Sequence, residues 1–168
     1  MSQISLVGAG PGPLELLTLR ALHRLEAAEV VVYDRLVGSE ILARIPHGAA
    51  RFDVGKRCGE PSPTQEEINA LLLALARTGK RVVRLKGGDP LVFGRGGEEA
   101  LHLARHGIEA ELVPGITAAL GCAASSFIPL THRGLARSLT LVTGHLMDER
   151  DYQGWQGLTR AGHTLVFY

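Results

Sequence analysis

Short unbroken apolar runs alternate along this chain with longer stretches whose apolar residues recur every three or four positions. The runs at residues 4–7, 30–33, 51–54, 82–85 and 108–113 read as strands. Several are apolar throughout rather than alternating, the pattern of strands buried on both faces of a parallel sheet. Between them, Leu14, Leu17, Ala21, Leu22 and Leu25 form one helical stripe, and Ile68, Leu71, Leu72 and Leu75 form another. Thr64 with Glu67 makes a capping box ahead of the second stripe. Ser39 reads as the cap of a short helix carrying Ile41 and Leu42. Residues 98–106 read as a further helix, with Glu98 and Glu99 in a first turn that favours negative charge. Gly79 and Gly107 stop the helices before them. Strand and helix in strict alternation predict an α/β fold, a mostly parallel sheet with helices on both faces.

Pro114-Gly115 reads as a domain boundary, giving an N-terminal α/β domain over 1–114 and the start of a second α/β domain over 115–168. The second holds a small-residue helix at 116–124, a strand at 138–142 and the apolar run Thr164-Leu165-Val166-Phe167-Tyr168. An apolar strand with nothing after it to pair or cover it leads us to expect an incomplete second domain. No internal repeat, coiled coil or low-complexity segment is visible.

Composition narrows the partners. The 168 residues suffice for one ordinary α/β domain and part of another. Eighteen basic residues against seventeen acidic ones argue against nucleic acid or an anionic membrane as the main partner. Cys58 and Cys122 are far apart and in no paired motif, which suggests a reducing cytoplasm and no structural zinc. The N-terminus shows neither a charged leader nor a long apolar segment, so no signal peptide or membrane span is expected.

Candidate chemistry gathers where strands end. Gly87-Gly88-Asp89-Pro90 follows the 82–85 run, and two residues without Cβ there let backbone approach a ligand closely. Asp89 is expected at the rim as an acceptor for hydroxyl or amine donors. Taken alone, such a tetrapeptide is more often only a turn. Gly8-Ala9-Gly10-Pro11-Gly12-Pro13 follows the first strand but fails the dinucleotide fingerprint, because Pro13 stands where glycine is required. Its prolines also remove amide donors a pyrophosphate would need. Asp34 stands about 20 residues past that loop, the position of a ribose-binding acid. A dinucleotide oxidoreductase is therefore a weak alternative. Gly55-Lys56 and Gly79-Lys80 lack the hydroxyl residue of a nucleotide-phosphate loop. His102 and His106 are four apart on one helix but lack the glutamate of a metalloprotease helix, so they read as a solvated face and no metal is expected. Arg35, Lys56, Arg57, Arg84, Arg95, Arg133 and Arg137 mostly fall at strand ends or in loops. They are either scattered surface charge or, converging, a site for a substrate with several carboxylates.

Taken in series, the segments resemble the uroporphyrinogen-III C-methyltransferases within the tetrapyrrole methylases. The resemblance is carried by Val7-Gly8-Ala9-Gly10-Pro11-Gly12, Leu16-Leu17-Thr18-Leu19, Tyr33-Asp34-Arg35-Leu36-Val37, Gly55-Lys56-Arg57 and the 81–99 stretch. It continues through Val113-Pro114-Gly115-Ile116-Thr117-Ala118-Ala119, Gly121-Cys122-Ala123-Ala124, Ile128-Pro129-Leu130-Thr131-His132-Arg133 and Val142-Thr143-Gly144-His145. It ends on Leu165-Val166-Phe167-Tyr168.

The resemblance implies a two-domain, usually homodimeric, cytoplasmic enzyme that binds S-adenosylmethionine, releases S-adenosylhomocysteine, and methylates uroporphyrinogen III to precorrin-2 on the route to sirohaem and cobalamin. It further implies that Pro11, Gly87, Gly88, Asp89, Val92, Thr117 and Ala118 line the cofactor site. Asp34 corresponds to the family's proposed proton acceptor and Lys56 to its proposed donor. Arg84, Arg35 and Arg133 would face the octacarboxylate substrate. The family's first glycine loop usually continues Gly-Asp-Pro, whereas here Gly12 is followed by Pro13. An inactive or binding-only fragment of such an enzyme is the alternative the 168-residue length leaves open.

Overall fold

A computed structural model describes residues 3–55, 62–144 and 161–168. The chain divides into two compact units, residues 1–117 and 118–168. The first is built on a five-stranded parallel sheet: β1 (Ile4–Gly8), β2 (Val30–Tyr33), β3 (Ala50–Asp53), β4 (Val82–Lys86) and β5 (Glu111–Val113), in the order β3-β2-β4-β1-β5. The connections carry α1 (Leu19–Glu26), α2 (Ser39–Leu42), α3 (Gln65–Ala76) and α4 (Gly96–Arg105).

Strand alternation divides the core in two. Val7, Val31, Val83, Leu85 and Val113 pack with Ala21 and Leu25 of α1 and Ile41 of α2. Ile4, Val30, Val32 and Val82 pack on the other face with Ile68, Leu72 and Ala76 of α3 and Leu103 of α4. Both faces are covered, as the apolar strands require. Because side chains alternate, Arg84 and Lys86 share the α3/α4 face with Val82. Two cations thus enter an otherwise apolar layer. β1 and β4 lie side by side, and their outgoing helices cover opposite faces, the arrangement that in open α/β sheets marks the carboxyl ends of the strands as the ligand-binding edge.

Some local expectations change. Leu14–Leu16 is a separate 3-10 turn, and α1 starts only at Leu19, capped by the Thr18 hydroxyl accepting from the Ala21 amide at 3.2 Å. A side chain able to cap sits mid-stripe, so the helix begins there. Ser39 lies inside α2, whose N-cap is Gly38 with no side-chain bond. The 108–113 run pairs only over Glu111–Val113, and α4 begins at Gly96, two residues earlier than expected. The capping box forms as predicted: the Glu67 amide donates to Thr64 Oγ1 at 3.2 Å and the Thr64 amide to Glu67 Oε2 at 2.7 Å.

β5 is tied down electrostatically. Glu111 accepts from Arg24 Nη2 at 2.9 Å and from the Ser5 hydroxyl at 2.8 Å. These bonds hold its carboxyl below the ordinary value of 4.5, the Arg24 hydrogen bond contributing most. A depressed acid stabilises the fold fully above its unfolded value and loses that stabilisation as pH falls through the folded one. Glu111→Gln is therefore expected to lower the urea midpoint at pH 7, with the difference from wild type shrinking as pH falls below the ordinary value of 4.5 and through the lower folded one. A difference that does not shrink as the solution is made more acidic would refute this.

The second unit comprises α5 (Ala118–Ser125) and the parallel pair β6 (Ser138–Val142) and β7 (His163–Phe167). The Tyr168 hydroxyl accepts the Ala119 amide at 3.0 Å, satisfying one of the free donors in the first turn of α5.

Candidate functional site

Backbone converges at the carboxyl ends of the first unit's strands. The Gly10 and Gly88 backbones exchange a pair of hydrogen bonds at 3.1 and 2.8 Å. A methyl group on Gly8 would lie 2.6 Å from the Gly115 nitrogen and 2.7 Å from the Gly88 carbonyl oxygen. The turns after β1, β4 and β5 therefore meet at distances only glycine permits. The turn after β2 joins them, with Leu36 against Gly87 and Gly12 against Gly38. Asp89 ties the loops together, Oδ1 accepting the Leu91 amide at 2.8 Å and Oδ2 the Gly115 amide at 3.0 Å. The expectation that Asp89 stands free at the rim changes accordingly: each of its oxygens already accepts a backbone donor. Bulkier backbone could not close this junction.

Beneath the converging turns lies a buried ionic cluster that the local motifs did not reveal. Arg84 and Lys86 of β4 are 3% and 4% exposed, and Glu99 of α4 is wholly buried. Glu99 Oε1 accepts from Lys86 Nζ at 3.0 Å, Arg84 Nε at 3.2 Å and Gln65 Nε2 at 3.3 Å. Arg84 Nη2 also lies 3.5 Å from Asp34 Oδ2 at the end of β2. Burial pushes the Lys86 ammonium below its ordinary value, with nearby Arg84 adding to the shift and Glu99 opposing it. Asp34 Oδ1 and Glu99 Oε2 are buried with no hydrogen-bond partner among the described residues.

The sequence assigned Glu99 to dipole complementarity beside Glu98. Glu98 does lie in solvent, paired with Arg95 at 2.7 Å. Glu99 points the other way, one turn before buried Leu103. The signal was available: two cations inside an apolar strand require a buried anion nearby.

The predicted site residues fall in several places. Pro11, Gly87, Gly88, Asp89, Val92 and Thr117 lie in the first unit, all half-buried, and most belong to the converging turns. Asp34 and Arg84 are brought together. Arg35 is exposed beside Asp34, whereas Arg84 is not an exposed guanidinium at all. Ala118 and the exposed Arg133 belong to the second unit, where Ala118 lines a cavity of about 290 Å³ with Cys122 and Tyr168. Lys56, Arg57, Cys58 and His145 lie outside the described residues. His102 is half-buried, its ring centroid 4.7 Å from that of His106, so only part of the expected solvated face is exposed. Among the described residues no cluster of three or more His, Cys, Asp or Glu could hold a metal ion.

A parallel α/β sheet with glycine turns crossing its carboxyl edge and a carboxylate at a strand end defines a class of small-molecule-binding proteins. Comparison with known proteins gives the family: residues 3–168 match the model of the Tetrapyrrole (Corrin/Porphyrin) Methylases, and the chain belongs to that family. It is 57% identical over 166 residues to a siroheme synthase of Pseudomonas aeruginosa, covering 99% of this chain and 36% of that protein. A uroporphyrin-III C-methyltransferase of Thermus thermophilus superposes with a TM-score of 0.76 at 55% identity, over 84% of this chain and 60% of that one. The same enzyme solved in complex with S-adenyl homocysteine matches with a TM-score of 0.74 at 54% identity, over 85% of this chain and 59% of that one. This chain thus spans about a third of the siroheme synthase it matches and three-fifths of the solved enzyme.

Proposed function

We propose that this chain forms part of an S-adenosylmethionine-dependent C-methyltransferase acting on uroporphyrinogen III and yielding precorrin-2. The observation that carries the reading is Asp34 at the end of β2 beside the converging glycine turns, in a chain whose solved relative is complexed with S-adenyl homocysteine. The donor set fits the cofactor. The carboxyl edge offers carboxylate and carbonyl acceptors, suited to ammonium, sulfonium and ribose hydroxyl groups, and the prolines of its first loop leave few amides for a phosphate. Pro11, Gly87, Gly88, Asp89, Val92 and Thr117 would hold it, with Ala118.

When bound, S-adenosylmethionine supplies an electrophilic methyl group on sulfur. The protein's part is to orient the two molecules and exclude water, which alone can lower a bimolecular barrier substantially. The turn residues would hold the donor so that its methyl group could pass to a ring carbon of the substrate. Asp34 then accepts the proton that must leave the methylated macrocycle. Lys56 is assigned the proton donor role, and Arg35 and Arg133 the substrate's carboxylates. Arg84 supplies a buried positive charge behind Asp34. The family resemblance also carries the reading of a cytoplasmic homodimer, with sirohaem or cobalamin synthesis downstream. The nearly balanced charge supports a small-molecule substrate over nucleic acid or membrane.

Titration with S-adenosylhomocysteine, followed by assay of uroporphyrinogen III methylation, tests the proposal on the intact polypeptide. Binding and precorrin-2 formation are expected. Binding without turnover leaves the binding-only reading, and tight binding of a nicotinamide cofactor instead would sink the proposal.

A further inference from the structure

Glu99 differs from the helix-start carboxylate beside it. Glu98 pairs with Arg95 in solvent, whereas Glu99 is fully buried and takes three donors on a single oxygen. One of them, Arg84, is also the residue that reaches Asp34.

We infer that Glu99 is a positioning residue for methyl transfer, holding the Arg84 guanidinium in the one orientation that meets Asp34. The inference rests on the reading of Asp34 as proton acceptor. A guanidinium is planar, with its donors in a fixed fork. Arg84 Nε is held by Glu99 Oε1 at 3.2 Å and Nη1 by the Leu85 carbonyl at 3.2 Å. With those two directions set, the place of Nη2 follows, 3.5 Å from Asp34 Oδ2. Lys86 and Gln65 hold the Glu99 carboxylate in turn, from β4 and from α3. Asp34 and Glu99 balance Arg84 and Lys86, so the cluster carries no net charge. Stability alone does not account for it, since well-packed apolar residues of similar volume usually serve a core as well as a buried ion pair does.

Four forms test this in the intact polypeptide: Glu99→Gln, Glu99→Asp, Arg84→Gln and the double variant E99Q/R84Q. A misplacement of about 1 Å costs on the order of 100-fold in rate. Glu99→Gln is expected to lower kcat by about that factor while the KM for S-adenosylmethionine is unchanged. In the Arg84→Gln background it is expected to cost nothing further, because both changes remove one interaction. Costs that multiply, or an unchanged kcat, would overturn the inference. Should Glu99→Gln not fold, Glu99→Asp keeps the buried charge and only withdraws it; kcat must still fall. A readout independent of turnover is hydrogen exchange of the Arg84 Nε–H by ¹⁵N NMR, expected to quicken in both Glu99 variants. Wild-type protein that binds S-adenosylhomocysteine without methylating removes the functional reading, and Arg84 exchange then decides the positioning role: unaltered exchange would overturn it.

Discussion

Asp34→Asn is expected to reduce methylation of uroporphyrinogen III by about 10²- to 10⁴-fold, the range a positioned acid or base contributes. The substitution is nearly isosteric, and it keeps an oxygen at the end of β2 for Arg84 to approach. What it removes is the capacity to take a proton. S-adenosylhomocysteine affinity is therefore expected to stay near wild type, because the converging glycine turns do not depend on the Asp34 charge, whereas the thermal midpoint is expected to fall, because buried Arg84 loses one of its two carboxylate partners. One of the Asp34 oxygens is buried with no hydrogen-bond partner among the described residues. The measurement is the initial rate of precorrin-2 formation at saturating methyl donor. A rate within about threefold of wild type, well short of the range for a lost base, would remove Asp34 from the proton-transfer step.

The largest stability effect is expected at Glu99→Leu. It leaves Arg84 and Lys86 in an apolar layer with no carboxylate between them, and removing one partner of a buried ionic group costs about 3–5 kcal/mol. A leucine of similar size excludes any explanation by cavity formation. The pH dependence carries a definite sign. The Lys86 ammonium already titrates below its ordinary value of 10.5 through burial, and Glu99 is what opposes the shift. Without Glu99 it falls further, so the unfolded chain binds more protons than the folded one between the two values. Stability then rises with pH across that window. The deficit of Glu99→Leu in urea should be greatest at neutral pH and should narrow toward pH 10. Arg84 stays charged, so part of the deficit persists. A deficit that widens with rising pH, or none at pH 7, would contradict the assignment of a buried charge cluster.

Several features of this protein were determined by its sequence alone. Consecutive β-branched residues such as Val30, Val31 and Val32 can bury both faces only within a covered parallel sheet, and that dictates the βα alternation. The Thr64–Glu67 box fixes the start of α3 because both partners lie within one turn. The ordered motifs identify the family, because each is a local string.

Tertiary structure decided the rest. Apolar periodicity allowed a helix from Leu14, and only the folded chain shows the Thr18 cap starting α1 later. The 98–106 pattern could not say which of two adjacent glutamates turns inward, because rotation about the helix axis is set by what packs there. Here Gln65 from α3 and Arg84 and Lys86 from β4 draw Glu99 inside, while Arg95 keeps Glu98 in solvent. Asp34 and Arg84 are 50 positions apart in the sequence, and parallel pairing of β2 with β4 is what brings them to 3.5 Å. Local strings are legible one at a time. A cluster drawn from two strands and two helices exists only once the sheet order is set, because long-range pairing leaves no periodic mark in the chain.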